Sequence, residues 1–220
     1  MTLLTQKTST VIFDLDGVLI HTDEQHYEAW KALCDRLGIQ FDRERNHLFR
    51  GVSRMACMDL LERWNSAPFT EAQKAGYANW KNERYRALLE NLSKASVAPD
   101  TFDTLAQLRR RGYQLAIGSS SKNARFILER TGLMPYFDAV ADGTQIVNSK
   151  PDPEVFLLAA SQLAVNSAEC IVVEDAASGL AAAKAANMIT VGIGEAAKLP
   201  QADFCILELK EILDILKGLR

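Results

Sequence analysis

The spacing of hydrophobic positions changes twice along the chain and divides it into three stretches. Residues 11–13, V-I-F, open a short apolar run that is typical of a buried strand and ends at Asp14. Over residues 22–93, apolar residues recur every three or four positions without a strand pattern, so this stretch is predicted to be helical. From residue 94 onward, short apolar runs alternate with helical patterns.

The last stretch predicts the elements of an α/β domain. Its expected strands are 114–118, 139–141, 170–173, 189–193 and 204–207, and its expected helices are 101–111, 123–130, 153–163, 178–186 and 208–216. Repeated strand–helix–strand units predict a parallel sheet that helices cover on both faces. The predicted fold class is therefore α/β, a doubly wound parallel-sheet (Rossmann-like) core with an inserted α-helical cap domain.

The same patterns predict the domain boundaries. Residues 1–21 and 94–220 are expected to form the α/β core, and residues 22–93 a helical cap inserted after the first strand. Within the insert, helices are expected up to Gly38, from near Ser53 and from about Thr70. Because the insert leaves the core directly after the first strand, we expect it to lie over the site as a lid.

Composition and charge argue against several classes of partner. The 220 residues carry a net charge of −3, so no basic surface for nucleic acid or an anionic membrane is expected. No apolar run approaches the ~18 residues of a membrane helix, and the polar N-terminus does not resemble a signal peptide. Four scattered cysteines without a C-x-x-C pair argue against a zinc site and a disulfide framework. A reduced, cytoplasmic setting is the expectation.

Two aspartates come directly after the first predicted strand. Asp14 and Asp16 are separated by one residue and followed by Gly17, which suggests that the chain turns at the carboxyl end of the strand. Open α/β sheets bind ligands at that end. Two like charges this close repel unless a cation or a proton lies between them, and Mg²⁺ accepts carboxylates together with substrate phosphate. Taken alone, the motif is equally compatible with a turn of solvated acids.

Three further loops follow predicted strands and carry polar residues. Residues 119–123, S-S-S-K-N, could bind a phosphate through hydroxyls and backbone N–H groups at a helix start. The alternative is an N-cap serine followed by a surface lysine. Lys150 precedes a proline and either reaches over a phosphate or is solvated. Glu174 and Asp175 end a buried strand and either need a counter-ion or lie exposed at a helix N-terminus. Four such loops at one sheet edge favour a joint Mg²⁺ and phosphate site.

These ordered motifs resemble those of the haloacid dehalogenase superfamily of phosphotransferases. The matching segments are D-L-D-G at residues 14–17, S-S-S-K-N at 119–123, S-K-P at 149–151 and V-E-D at 173–175. The resemblance implies that Asp14 attacks phosphorus and becomes an aspartyl-phosphate, and that Asp16 is the general acid/base. It also implies that Ser119 and Lys150 hold the transferring phosphoryl group. A carboxylate nucleophile suits this chemistry, because a labile acyl phosphate divides one difficult step into two.

The resemblance further implies a metal site. Its expected Mg²⁺ ligands are Asp14, Asp16, Glu174 and Asp175, of which Asp16 gives its backbone carbonyl and Glu174 acts through water. Mg²⁺ and Lys150 would balance the charge of the phosphoryl oxygens in a preorganised site.

The insert resembles the cap of the sugar phosphomutases in this superfamily. The similar segments are residues 21–31, 50–54 (R-G-V-S-R), 80–85 (W-K-N-E-R-Y) and the S-K-N turn at 121–123. The implied substrate-binding residues are His26, Gly51, Val52, Ser53, Arg54, Lys81, Ser121, Lys122 and Asn123. His26 would pair with Asp16 and couple its protonation to cap closure, with Lys81 nearby. Arg54 would grip the phosphate that is not transferred.

The implied activity is interconversion of β-D-glucose 1-phosphate and glucose 6-phosphate, with β-glucose 1,6-bisphosphate as intermediate and activator. A grip on the distal phosphate favours a mutase, because the bisphosphate must turn round without escaping. A Mg²⁺-dependent sugar-phosphate phosphatase is the nearest alternative. A dehalogenase would have no evident need for Asp16, and a silent phospho-sugar-binding module would not need the catalytic positions filled. The expected partner is a small sugar phosphate and the expected state a monomer. His21 departs from the acid usual at this hinge.

Overall fold

The computed structural model describes residues 8–49 and 52–219. The chain forms two compact units. One is the segment Thr22–Leu92, and the other is built from the chain on either side of that segment. None of the described helices is long and apolar enough to cross a membrane.

A six-stranded parallel sheet forms the centre of the larger unit. Its strands are β1 (Thr10–Phe13), β2 (Gln114–Gly118), β3 (Ala139–Ala141), β4 (Cys170–Glu174), β5 (Ile189–Ile193) and β6 (Phe204–Ile206). The strand order is β3-β2-β1-β4-β5-β6, with every adjacent pair parallel. The strands are short apolar runs because helices cover a parallel sheet on both faces. The predicted fold class is confirmed.

The order of the strands places two acidic strand ends side by side. The chain adds β2 and β3 on one side of β1 and then crosses over to add β4, β5 and β6 on the other. Phe13 is paired with Val173, so Asp14 and Glu174 occupy neighbouring positions at the carboxyl ends of β1 and β4. Doubly wound sheets bind their ligands at the point where the order reverses.

The helices follow the predicted pattern with shifts of a few residues. They are α1 (Asp23–Leu37), α2 (Arg43–His47), α3 (Arg54–Glu62), α4 (Glu71–Leu89), α5 (Pro99–Arg110), α6 (Ala124–Thr131), α7 (Glu154–Gln162), α8 (Ala177–Ala185) and α9 (Ile212–Gly218). The helix predicted at 208–216 begins later, at Ile212, because Leu209–Glu211 form a 3₁₀ turn. The sequence did not predict α2, whose residues R-E-R-N-H have no apolar period.

Helices α7 and α8 cover the sheet where the site lies. Phe156 of α7 and Ala182 of α8 belong to one buried cluster with Ile12 and Val172 of the sheet. Phe156 is fully buried, so its truncation to alanine would cost about 3–5 kcal/mol of stability. The small side chains of α8, A-S-G-L-A-A-A-K-A, leave little between its backbone and the strands.

The unit Thr22–Leu92 is helical and has an aromatic core of its own. Its buried cluster is formed by Trp30, Leu33, Cys34, Ile39, Phe41, Phe49, Cys57, Met58, Leu61 and Ala78. Both predicted helix starts are capped. The Ser53 side chain accepts a hydrogen bond from the N–H of Ala56, and Thr70 forms a capping box with Gln73.

Candidate active site

A buried lysine joins the two acidic strand ends. Nζ of Lys150 lies 2.5 Å from Oδ1 of Asp14 and 2.5 Å from Oε1 of Glu174. The exposed fraction is 7% for Lys150, 7% for Asp14 and 1% for Glu174. Charges this deeply buried are tolerated when they are paired and hydrogen-bonded. Three predicted site residues from distant parts of the chain therefore form one ion-pair network.

The surroundings of Lys150 keep its side chain charged. Its ammonium lies 4.7 Å from the centroid of the Phe156 ring, in addition to the two carboxylates. Burial by itself lowers the pKa of Lys150, but Asp14 and Glu174 outweigh this effect and raise the pKa above its ordinary value. A fixed ammonium in a water-poor site stabilises charge that develops on a phosphoryl group far better than a solvated one does.

The carboxylate of Asp14 lies in an excess of negative charge. Burial raises its pKa well above the ordinary value, and the charges of Glu174, Asp175 and Asp16 raise it further, while Lys150 lowers it. Three other carboxylates thus act on that of Asp14 at this end of the sheet, beside one ammonium. A divalent cation would relieve that repulsion.

A tight turn places Asp16 and Asp175 at the same edge. Beyond Asp14, the N–H of Gly17 donates to the carbonyl of Ile20 at 2.7 Å, and Gly17 has a φ of +91°. A Cβ on Gly17 would lie 2.1 Å from Oδ2 of Asp175. The absence of a side chain at position 17 therefore lets the Asp175 carboxylate lie directly against the turn that carries Asp16. The turn inferred from the sequence is present.

The loop after β2 is a sequence of serine-stabilised turns. Oγ of Ser119 accepts a hydrogen bond from the N–H of Ser121 at 3.1 Å, and Oγ of Ser121 accepts one from the N–H of Asn123 at 3.2 Å. Ser119 and Asn123 are buried and Lys122 is exposed. Ser120 has a buried hydroxyl without a hydrogen-bond partner. Because β2 adjoins β1, this loop leaves the sheet next to the Asp14 loop.

In the helical unit, Arg54 is held by an amide. Nη2 of Arg54 donates to Oδ1 of Asn82 at 2.7 Å. Arg54 is the first residue of α3, which Ser53 caps, and Val52 precedes that cap. Gly51, which the sequence also implicates, lies outside the described residues. Burial lowers the pKa of Arg54 from its ordinary value. Its guanidinium remains charged nonetheless, because the pKa of arginine starts above 12.

His26 and Lys81 form a second polar cluster in the same unit. Nζ of Lys81 lies 3.0 Å from Nδ1 of His26, and the Lys81 side chain lies over the rings of Trp30 and Tyr85. An ammonium only donates, so Nδ1 accepts and Nε2 carries the proton of the neutral ring. Burial, Lys81 and Arg54 all lower the pKa of His26 well below 6.5. The neutral ring therefore offers one donor, Nε2–H. The predicted pair of His26 with Asp16 stays a prediction.

The family follows from the comparison with known sequences. A family model of the haloacid dehalogenase-like hydrolases matches residues 8–187. The chain belongs to this family. The resemblance seen in the four loop motifs is thereby confirmed.

Relatives of this chain within the haloacid dehalogenase-like family have two kinds of activity, mutase and phosphatase. A β-phosphoglucomutase of Bacillus subtilis is 35% identical over 204 residues, which cover 92% of this chain and 90% of the relative. A fructose-1-phosphate phosphatase of Escherichia coli is 30% identical over 188 residues, 86% of this chain and 97% of the relative. The crystal structure of β-phosphoglucomutase from Clostridium difficile has a TM-score of 0.90 at 32% identity, with 96% of each chain covered. The chain is a phosphotransferase or a sugar-phosphate phosphatase of this family.

The acidic edge of this haloacid dehalogenase-like core fits a divalent metal. Among residues 8–49 and 52–219, no three His, Cys, Asp or Glu side chains are grouped so that they would hold a metal by themselves. Mg²⁺ needs fewer, since it takes one or two carboxylates and completes its shell with water and substrate phosphate. Asp14 lies in excess negative charge, and Asp175 lies against the Gly17 turn. This oxygen-only donor set suits Mg²⁺.

Glu174 has a contact that the sequence did not predict. Its Oε1 binds Lys150, and its Oε2 accepts a hydrogen bond from the N–H of Ala176 at 2.9 Å. Glu174 therefore holds the catalytic lysine candidate, and its role near Mg²⁺ stays a prediction. A Cβ on Gly179 would lie 1.8 Å from Oε1 of Glu174, so this glycine makes room for the carboxylate.

Sequence reasoning missed Gly179, and also Asn82 as the partner of Arg54. The only signals were a run of small residues for Gly179 and the K-N pair at 81–82 for Asn82.

Proposed function

We propose that this enzyme is a β-phosphoglucomutase that interconverts β-D-glucose 1-phosphate and glucose 6-phosphate. The core site supports any phosphoryl transfer of this family, so it does not by itself distinguish a mutase from a phosphatase. The observation that favours the mutase is the arginine at the start of α3, held by Asn82 at 2.7 Å in the helical unit. A fixed guanidinium is suited to bind a phosphate that does not react.

In the proposed first step, an Asp14 carboxylate oxygen attacks phosphorus, and the bond from phosphorus to the sugar oxygen breaks. Asp16 gives its proton to that leaving oxygen. Lys150 and Ser119 hold the phosphoryl oxygens, and Lys150 is already fixed beside the nucleophile. On β-glucose 1,6-bisphosphate, this step leaves the aspartyl-phosphate and a sugar monophosphate. In the reverse sense, Asp16 takes a proton from the free 6-hydroxyl of β-glucose 1-phosphate, which attacks the aspartyl-phosphate; the bond from phosphorus to Asp14 breaks, and β-glucose 1,6-bisphosphate and the Asp14 carboxylate are formed. After the bisphosphate has turned round, the first step on its 1-phosphate leaves glucose 6-phosphate.

Mg²⁺ is the proposed cofactor. Asp14, the backbone carbonyl of Asp16 and Asp175 would hold it, and it would supply positive charge to the phosphoryl oxygens. The three carboxylates around that of Asp14, those of Glu174, Asp175 and Asp16, are the observation that supports a cation at this place.

The helical unit has the proposed task of binding the rest of the sugar phosphate. Arg54 would bind the distal phosphate together with Ser121, Lys122 and Asn123. His26, neutral and with its proton on Nε2, would donate to Asp16 and so couple closure to proton transfer. Exclusion of water during closure would protect the aspartyl-phosphate from hydrolysis. All four cysteines are free. A reduced, cytoplasmic setting and a monomeric state belong to the proposal.

A sugar-phosphate phosphatase is the second candidate. The relative from Escherichia coli is a phosphatase at 30% identity, and the core described above would serve hydrolysis equally well. In a phosphatase, water instead of a sugar hydroxyl attacks the aspartyl-phosphate and releases inorganic phosphate.

One assay distinguishes the two. The enzyme is incubated with β-glucose 1-phosphate, Mg²⁺ and a trace of β-glucose 1,6-bisphosphate, and glucose 6-phosphate and inorganic phosphate are followed together. Rapid formation of glucose 6-phosphate with little free phosphate, abolished in Asp14→Ala, supports the mutase. Steady release of phosphate without isomerised product contradicts it and identifies a phosphatase.

A further inference from the structure

The loop that carries Lys150 is tied to the helix that follows it. Glu154, the first residue of α7, accepts a hydrogen bond from the N–H of Val147 at 2.9 Å and another from the N–H of Asn148 at 2.7 Å. Each of its two carboxylate oxygens is used by one of these donors. The two backbone hydrogen bonds, together with one from the Asn148 side chain, lower the pKa of Glu154. The carboxylate is therefore ionised, and its bonds are charge-assisted.

Side-chain burial does not explain how this loop is fixed. The side chain of Val147 is 90% exposed, and Asn148 is exposed as well. Closer to Lys150, the N–H of Asp152 donates to the carbonyl of Ser149 at 3.1 Å. A side-chain oxygen of Asp152 in turn accepts from the N–H of Glu154 at 2.9 Å. Hydrogen bonds to the start of α7 therefore hold the backbone on both sides of Lys150.

We infer that Glu154 is a positioning residue for phosphoryl transfer, which acts by fixing the loop from which Lys150 reaches Asp14 and Glu174. The Lys150 ammonium meets both carboxylates at 2.5 Å, a geometry that a long and flexible side chain keeps only if its backbone is fixed. A misplacement of about 1 Å in a catalytic group costs on the order of 100-fold in rate. The inference rests on the proposed transfer to Asp14, and it holds for a mutase and a phosphatase alike.

The test compares Glu154→Gln with Glu129→Gln, which removes an exposed carboxylate from α6 and is the matched control. Glutamine keeps one acceptor oxygen but turns an N–H₂ group toward one of the two amides. We expect kcat to fall about 10- to 100-fold in Glu154→Gln with KM changed less than about threefold, and no change in the control. Amide hydrogen exchange at Val147 and Asn148 should become faster in the same variant.

A second comparison shows whether Glu154 acts through Lys150. In a Lys150→Ala background, Glu154→Gln should cause no further loss of kcat, because the group that it positions is gone. The same loss in both backgrounds, or a kcat equal to that of Glu129→Gln, would overturn the inference. Glu154→Asp is the second variant in case Glu154→Gln folds poorly. Aspartate keeps the charge but is too short to hold both amides, so the same loss of kcat is expected.

The same variants distinguish a failure of the proposed function from a failure of the inference about Glu154. If Asp14→Ala and Lys150→Ala retain full activity, the transfer to Asp14 is wrong, and the role of Glu154 is overturned with it. If those two variants lose activity while Glu154→Gln and Glu154→Asp behave as the control, only the role of Glu154 is overturned.

Discussion

The carboxylate of Asp175 occupies the space that a side chain on Gly17 would fill. A Cβ at position 17 would lie 2.1 Å from Oδ2 of Asp175 and 2.4 Å from its Cγ. This contact joins the loops after β1 and β4, the two strands that carry the acids of the candidate site. Gly17 serves twice, because its φ of +91° is also a conformation that residues with side chains rarely adopt.

Replacement of Gly17 should therefore damage the proposed metal site as well as the fold. We expect Gly17→Ala to lower kcat by at least about 100-fold, since Asp175 must move by more than the 1 Å that already disturbs catalysis. The Mg²⁺ concentration for half-maximal activity should rise. Backbone strain should cost about 1–2 kcal/mol of stability. Activity against Mg²⁺ concentration, with urea unfolding in parallel, measures the three effects.

Gly112→Ala is the matched control for this variant. Gly112 has a φ of +84°, similar to that of Gly17, but a Cβ there meets nothing within 4 Å. It should show the same loss of stability with unchanged activity and Mg²⁺ dependence. Equal activities of the two variants would show that the position of the Asp175 carboxylate beside Gly17 does not matter for catalysis, and would contradict the prediction.

An analogous prediction concerns Gly179 and the ion pairs of Lys150 with Asp14 and Glu174. A Cβ at this position would lie 1.8 Å from Oε1 of Glu174, the atom that binds Lys150. Gly179→Ala should lower kcat about 10- to 100-fold by displacing Glu174, and overpacking should destabilise the fold by about 1–3 kcal/mol.

Gly76 in α4 provides the comparison, because a Cβ there meets nothing within 4 Å. Gly76→Ala should instead stabilise the protein by up to about 1 kcal/mol, as expected from helix propensity alone. A Gly179→Ala enzyme with wild-type kcat would show that Glu174 tolerates displacement.

The sheet and its acidic edge were predictable because they depend on patterns local in sequence. Apolar runs marked β1 and β4, and the carboxyl ends of parallel strands meet at one edge, so Asp14 and Glu174 were expected at that edge. That β1 and β4 are adjacent strands is known only from the structure. Helix α2 was not predictable in this way. Its polar residues have no apolar period, and its start depends on the Asp42 side chain, which accepts from the N–H of Arg45.

The side-chain partners within the site were beyond the sequence. The resemblance gave Lys150 a phosphoryl group to hold, but which carboxylates hold Lys150 itself depends on loop paths and rotamers. The contacts of Gly179 with Glu174 and of Asn82 with Arg54 are of the same kind, since each depends on the approach of two elements. The run of small residues around Gly179 and the K-N pair at 81–82 are visible in the sequence, but neither pattern identifies the partner of the residue.

Arg54 and Asn82 should matter only for substrates that carry a second binding group. We expect Arg54→Ala to raise KM for β-glucose 1-phosphate, in the presence of the bisphosphate, by about 10- to 100-fold, as for loss of a charged hydrogen bond. Asn82→Ala should raise it about 3- to 10-fold, because the guanidinium remains but is no longer held. Hydrolysis of acetyl phosphate, which has no distal group, should change less than about twofold in both.

Arg84→Ala is the control for these two variants, since Arg84 is exposed on α4 of the same unit. It should leave both substrates unaffected. Equal losses for acetyl phosphate and the sugar phosphate in Arg54→Ala would show a general structural role and would argue against a distal-phosphate grip.

The low pKa of His26 should make the helical unit less stable in acid. As pH falls below 6.5, the ordinary pKa of histidine, the unfolded chain takes up a proton that burial, Lys81 and Arg54 keep off the folded one. The free energy of unfolding should therefore decrease below about pH 6.5, by up to about 1.4 kcal/mol per pH unit, and should be unaffected by His26 above it.

His26→Asn should remove most of this dependence, because the amide oxygen can still accept from Lys81 but does not titrate. All three tryptophans, Trp30, Trp64 and Trp80, lie in the helical unit, so their fluorescence reports its unfolding in urea. Between pH 7.5 and pH 5.5, the wild type should lose about 1 kcal/mol more than His26→Asn. Parallel pH curves for wild type and His26→Asn would mean that the folded unit protonates this ring as readily as the unfolded chain does.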